Sequence, residues 1–185
     1  MATKKKRSQT AKKRAAKTVR SRFALTLAVA DDVTAIKALR NSTAEKLTAV
    51  HGRGNWSGHV SDKGVLFTMR NAKVFVARQR KQIMATITLS KKKPWAIDTK
   101  YFTKSKSPLY LTAMAITPQQ QGKGLGRKCL AAVIDICKDS GADAIRLDAY
   151  DAAGGAGGFY QKCGFREVGR ASYRDTPLIY YEMLL

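Results

Sequence analysis

Residues 109–126 read LYLTAMAITPQQQGKGLG: an apolar run, a proline, three glutamines, then three glycines within five residues. The apolar run predicts a strand over 109–116, and 127–140 reads as an amphipathic helix directly after the glycines. A glycine-rich turn that opens a helix aims unpaired backbone N–H groups and the positive end of the helix dipole at one point. Such a point holds an anion, and a phosphate is the expected guest.

Spacing selects among phosphate motifs. A P-loop needs Gly, four residues, then Gly-Lys-Ser/Thr. Counting back from Gly122-Lys123 puts Thr117 at the first glycine and Gly124 at the hydroxyl position, so that motif fails at both ends. A dinucleotide fingerprint would place its third glycine at Arg127, and it should begin a βαβ unit with an acid about 20 residues on. What remains is Gln121-x-x-Gly124-x-Gly126.

Outward from this stretch, 185 residues at 44% apolar content suit a core of ordinary size. No apolar run approaches the roughly 18 residues of a membrane span, so no membrane partner is expected. Cys129, Cys137 and Cys163 are odd in number and lack CxxC or Cys/His spacing, which argues against a disulfide framework and against a metal site. A reducing, cytoplasmic location follows as the expectation.

The net charge of +22 is uneven. Residues 1–22 hold ten Lys/Arg and no acid, leaving 25 basic against 13 acidic residues, or +12, beyond them. This segment is expected to be a disordered basic tail. It reads either as a tether that binds nucleic acid nonspecifically through phosphates or as a solubilising tail, and charge alone does not choose. The following FALTLAVA, with Ala28-Val29-Ala30, imitates a secretory signal but is short, is broken by Thr26 and alternates at Leu25, Leu27 and Val29 as a first strand does. Asp31-Asp32 are N-cap candidates for a helix carrying Ile36, Leu39, Thr43, Leu47 and Val50.

Residues 51–64 form a glycine- and serine-rich loop holding His51, Trp56 and His59, and VLFTMR (65–70) has no decided state. Strands are predicted at 73–78 and 82–90, joined by a hairpin turn. Residues 91–108, KKKPWAIDTKYFTKSKSP, interleave Trp95, Tyr101 and Phe102 with lysines. Aromatics among cations either stack nucleic-acid bases or fold over the domain while the lysines stay in water. A strand is predicted at 144–149, able to pair in parallel with 109–116 across the intervening helix. A short helix is predicted over 152–164, ending at Gly164, and its four glycines imply a close approach to that backbone. Two closing strands are predicted at 165–173 and 178–184.

The order strand, Gln121-x-x-Gly124-x-Gly126, helix, strand, short helix with Ala156 and Phe159-Tyr160, Gly164-Phe165, strand, strand resembles the second half of the GNAT N-acetyltransferase superfamily. The likeness covers about residues 23–185 and is strongest over 109–170; Ala153 stands where the family often has Asn. The resemblance implies an α/β fold (α+β in some schemes), with a mixed, mostly antiparallel central sheet, helices on both faces and one splayed parallel strand pair. It further implies acetyl-CoA as cofactor, an amine acceptor of unspecified class, and a monomer or homodimer. By the same resemblance the pantetheine lies against the backbone of Met114 and Ile116, and Tyr160 protonates the leaving thiolate. The pyrophosphate clamp is Gln121, Gly122, Lys123, Gly124, Leu125, Gly126 and Arg127, with Gly124 and Gly126 bare so that the anion comes close.

Acetyl transfer from a thioester also needs an acceptor for the amine proton. Asp98, Asp148, Asp151, His51 and His59 carry suitable groups, and spacing does not select among them. The expected reaction is N-acetylation by direct attack in a ternary complex, without a cysteine acyl-enzyme. The alternative is a nucleic-acid-binding module on the same scaffold without turnover.

Overall fold

The computed structural model describes residues 23–185. The expected disordered tail over 1–22 lies outside the described residues. Seven strands form one sheet in the order β1-β2-β3-β4-β5-β7-β6. They are β1 (Leu25–Leu27), β2 (Lys73–Gln79), β3 (Gln82–Ser90), β4 (Pro108–Ile116), β5 (Ala144–Tyr150), β6 (Arg166–Tyr173) and β7 (Thr176–Leu184). Every pairing is antiparallel except β4 with β5.

Side-chain alternation divides the core between the two faces of the sheet. Val74 and Val76 face α1 (Val33–His51) and α2 (Asp62–Asn71), where they meet Val33, Ile36, Leu39 and Val65. Phe75 and Ala77 face the other way, toward Leu130, Val133 and the two buried cysteines of α3 (Leu125–Asp139). Each fully buried Ile or Val contributes about 1.5–3 kcal/mol, which is what holds these helices to the sheet.

One local expectation is corrected at α1, and one segment left open by the sequence is settled at α2. No carboxylate caps α1: Asp32 instead accepts from the Val29 backbone N–H and pairs with Arg78 of β2. The VLFTMR segment is helical, because Ser61 caps the start of α2 by accepting from the Gly64 N–H at 3.2 Å. Only Val65 of this helix is buried, so its apolar period was too sparse to read.

The β4–β5 pair meets only over Pro108–Tyr110 against Ala144–Arg146, although both strands run on, to Ile116 and Tyr150. Against β3, Thr86 pairs with Ala115 and Thr88 with Thr112, leaving Ala113 and Met114 together opposite Ile87. Ala113 has φ 48°, and this bulge bends β4 away from its neighbour. The sheet therefore opens in the middle.

The 91–107 insertion packs over β5, β7 and β6. Phe102 is buried and Tyr101 half-buried, their rings 5.5 and 5.4 Å from Tyr180. Beneath them Arg146 Nε lies 3.1 Å from Glu182 Oε1, both side chains fully enclosed, and the Thr103 N–H donates to Glu182 Oε2.

The expected helix over 152–164 is corrected to α4, Gly157–Lys162, with 151–156 an irregular turn. The end of α4 is as expected: Gly164 (φ 92°) donates to Gln161 O and Phe165 to Tyr160 O, a Schellman closure. The glycines answer to neighbours within the protein. A Cβ on Gly155 would stand 1.9 Å from Tyr150 O, and one on Gly157 would stand 2.4 Å from the Tyr181 hydroxyl. Among the described residues, no helix is long and apolar enough to cross a membrane.

Candidate active site

A cleft of about 510 Å³ occupies the opening between β4 and β5. Its floor and walls bring together Met114, Ile116, the glycine-rich turn, Arg127, the 153–156 turn and Tyr160.

At one end stands the N-terminus of α3. Gly124 occupies the cap position at φ 80°, no side chain caps the helix, and no acid lies in its first turn. The N–H groups of Leu125, Gly126 and Arg127 fall in that turn, where the helix itself supplies no acceptor. A Cβ added at Gly122 (φ 74°) or Gly124 would have nothing within 4 Å, so both backbones face open space that a ligand oxygen can reach. Gly126 differs. A Cβ there would stand 3.3 Å from Phe159 Cζ, so its bareness lets Phe159 pack close at the cleft wall.

The other turn residues divide their work. Gln121 clips the loop to the strand end, donating to Ile116 O at 3.0 Å and accepting from Lys46 Nζ at 2.9 Å. Leu125 packs into the core through its side chain, and Lys123 is exposed beside the cleft without lining it. Lys46, Thr43, Leu47 and His51 reach the site from α1. The sequence hid Thr43 and Leu47, read as one face of an ordinary amphipathic helix, whereas His51, a proton-acceptor candidate assigned to the 51–64 loop, is the last residue of α1.

Along β4, the Thr117 N–H bonds to Met84 O, which makes Ala85 and Ile116 a pair that exchanges no hydrogen bonds. The backbone N–H groups of Ile116 and, one alternation back, Met114 therefore turn from β3 toward the gap, where β5 has already diverged.

Tyr160 is buried among Phe159, Phe165 and Tyr181, with ring centroids 5.3–6.2 Å away. Its hydroxyl reaches the cleft and lies 4.0 Å from the Met114 sulfur. Burial, reinforced by the Asp148 charge and by Cys163, holds the phenol well above its ordinary value. It is a neutral proton donor at any working pH.

The proton-acceptor candidates separate cleanly. Asp98 accepts from the Lys100 N–H and pairs with its ammonium, Asp151 pairs with Arg170, and His59 faces Glu45 at the surface. His51 lines the cleft with its ring edge-on to Trp56. Asp148, on β5, is half-buried, and among the described residues no other residue donates a hydrogen bond to its carboxylate. Burial raises that carboxyl above its usual range, its own backbone N–H pulling the other way. The charge of Asp148, cross-strand from Tyr180, helps to raise Tyr150, Tyr160 and Tyr180 behind their larger burial effects.

Cys129 and Cys137 are fully buried, and burial alone pushes their thiols up to about 12 and about 11. Neither is a nucleophile near neutrality. Cys163 is half-buried, raised by burial and drawn partly back by Arg127.

An acyl-CoA-dependent acyltransferase is the class this opening fits, since an extended thioester with a pyrophosphate at one end needs both a parted sheet and an uncapped helix terminus. A model of the acetyltransferase (GNAT) family matches residues 36–165, and the chain belongs to that family, with acetyl-CoA as its cofactor. No curated protein matches the chain in sequence. Among solved structures, it is similar to the ribosomal-protein-S18-alanine N-acetyltransferase of Escherichia coli, at TM-score 0.64 and 16% identity over 88% of this chain and 94% of that one. A ribosomal-protein-alanine N-acetyltransferase from Brucella melitensis gives TM-score 0.65 and 17% identity over 88% and 99%. A putative acetyltransferase from Salmonella typhimurium, solved with its cofactor acetyl-CoA, gives 0.62 and 16% over 88% and 93%. At these identities the likeness is one of fold.

Proposed function

We propose that residues 23–185 transfer an acetyl group to a primary amine by direct attack within a ternary complex. Acetyl-CoA supplies the activated thioester and the thiol leaving group. The turn from Gln121 to Arg127 holds the pyrophosphate through the open backbones of Gly122 and Gly124 and the first N–H groups of α3, with Lys123 and Arg127 adding positive charge. The Met114 and Ile116 N–H groups line the gap, and the Ile116 N–H is the donor for the carbonyl oxygen as negative charge develops there.

Asp148, on β5 just before the 153–156 turn and not itself in the cleft lining, takes the amine proton through a water, since no other described residue bonds its carboxylate and burial makes it more basic. Tyr160 donates its hydroxyl proton to the departing sulfur. The observation that supports this reading is the joining, in one cleft, of an uncapped helix terminus and the neutral Tyr160 hydroxyl across a parted sheet. Direct attack is favoured over an acyl-enzyme because two of the three thiols are enclosed and raised.

The test is a panel of amines, spanning polyamines, lysine side chains, peptide N-termini and aminoacyl esters, incubated with acetyl-CoA while free thiol is measured. Thiol release that depends on the amine supports the reading. Acetyl-CoA binding without amine-dependent release from any member would favour a binding module on the same scaffold.

A further inference from the structure

The 91–107 insertion treats its three aromatics unequally. Tyr101 is seated so closely on Gly169 that a Cβ there would stand 2.3 Å from its ring, and Phe102 is buried against Arg146, whose guanidinium carbon lies 5.0 Å from the ring centre. Trp95 points the other way and is 83% exposed. Its neighbours are fixed: Ala96 O accepts from the Tyr180 hydroxyl, and Lys93 Nζ donates to Ile97 O at 2.7 Å. The indole is thus carried out in water on an anchored loop, so stacking a flat partner on it costs little backbone ordering.

Strand register gathers cations at the end of the sheet from which this loop leaves. Lys73 pairs with Leu89, which brings Arg70 and Lys73 beside Lys91 and Lys92 just past the end of β3. Tyr110 pairs with Ser90, which brings Lys104 and Lys106, just ahead of β4, to the other flank. All six side chains are exposed, and none has a carboxylate within salt-bridge distance among the described residues. Two acids beside this segment are already engaged: Asp98 by Lys100, and Asp143 by Ser105 and the N–H groups of Lys106 and Ser107. The strip lies at the N-terminal end of β4, and the acetyl-CoA cleft begins at Met114 near its C-terminal end, about 20 Å away along the strand.

We propose that this strip is a docking site for single-stranded nucleic acid, with Trp95 as the stacking platform and the six cations as the phosphate track. The chemistry matches on both counts, since a stacking ring reads any base and a row of ammonium groups follows a backbone without reading sequence. An anionic membrane is the weaker partner, because insertion takes several apolar anchors and only one ring is offered here. Residues 1–22 add ten cations to the same chain and no acid. Because the strip is remote from the cleft, a bound strand leaves the cleft open.

The test uses the full chain, with labelled single-stranded RNA, the matching DNA and an abasic strand of equal phosphate number, titrated over a series of salt concentrations. Trp95→Ala is expected to weaken RNA binding about tenfold, in line with base stacking on an aromatic. It should leave the abasic affinity, the salt slope, the melting temperature and the stabilisation by acetyl-CoA unchanged. The double variant Lys91→Ala with Lys92→Ala is expected to weaken all three strands and to flatten the logarithmic salt slope by about 1.4. DNA bound as tightly as RNA assigns the site to single strands in general; RNA alone assigns it to RNA. Equal affinity of wild type and Trp95→Ala for every strand overturns the proposal and leaves the binding to residues 1–22. Trp95 fluorescence that responds to phosphatidylserine vesicles and not to RNA also overturns it, in favour of a membrane.

Discussion

The Tyr160 hydroxyl lies 4.0 Å from the Met114 sulfur, so the first turns of α4 and the bulged part of β4 face each other across the parted sheet. The sulfur is a weak acceptor, which leaves the phenol proton available to a better one. Tyr160→Phe should therefore lower amine-dependent thiol release about 100-fold. The ring packing is retained, so the melting temperature should hardly move. Unchanged turnover would remove Tyr160 from the mechanism.

Asp148→Asn separates catalysis from stability. Asp148 stands opposite Tyr180 of β7, its charge is felt by Tyr150, Tyr160 and Tyr180, and the strand's arginine, Arg146, is engaged by Glu182. Turnover should fall, and the acidic limb of the rate profile, set by the raised Asp148 value, should disappear. Because its folded value is raised, the folded chain binds this proton more tightly than the unfolded chain does, and the ionised group opposes folding at neutral pH. That opposition is relieved as pH falls through the raised value and is gone below the ordinary aspartate value. The variant should melt higher than wild type at pH 7, with the gap closing in acid; a lower melting temperature at pH 7 would contradict the placement.

Two glycines of one motif should respond differently. Gly124→Ala places a side chain at φ 80°, at a strain of about 1–2 kcal/mol, in the open space assigned to the pyrophosphate. The KM for acetyl-CoA should rise about tenfold, as about 1.4 kcal/mol of lost binding requires. Gly126→Ala presses on Phe159, a neighbour of Tyr160, and should reduce kcat and stability more than KM. Steady-state kinetics on both variants decides.

A thiol reagent at pH 8 should modify Cys163 alone in the folded chain, since Cys129 and Cys137 are enclosed and raised. Cys163→Ala should retain wild-type turnover. Loss of turnover, with acetyl found on Cys163 by mass spectrometry, would replace direct attack with an acyl-enzyme.

Glu182→Ala removes one partner of an enclosed ion pair and leaves Arg146 uncompensated, which costs about 3–5 kcal/mol. The urea midpoint should fall accordingly. The insertion should loosen with it, because Thr103 is bonded to Glu182 and Arg146 alike, and hydrogen exchange over 96–104 would report that.

The strands were legible because period-2 alternation and punctuating turns are local signals, and β2, β3, β4 and β5 stand within a residue of their expected bounds. Ends set by nonlocal partners were less so. β7 starts two residues early at Thr176 because Arg174 and Asp175, at φ 49° and 61°, close a tight hairpin. The 152–156 glycines looked helical or ligand-facing, and only the packing of Tyr150, Tyr181 and Trp56 around Gly154–Gly157 explains them.

The sequence by itself determined the uncapped, acid-free start of α3, since glycine spacing and the absence of a capping side chain are properties of neighbouring residues. From that came the anion site, and with the downstream pattern the family. Only the tertiary structure decided which glycines of the turn face open space, which of the five proton-acceptor candidates are already paired and which of three aromatics stays in water. Those are outcomes of contacts between residues far apart in the chain, and burial that removes one group from solvent leaves no trace in its neighbours' identities.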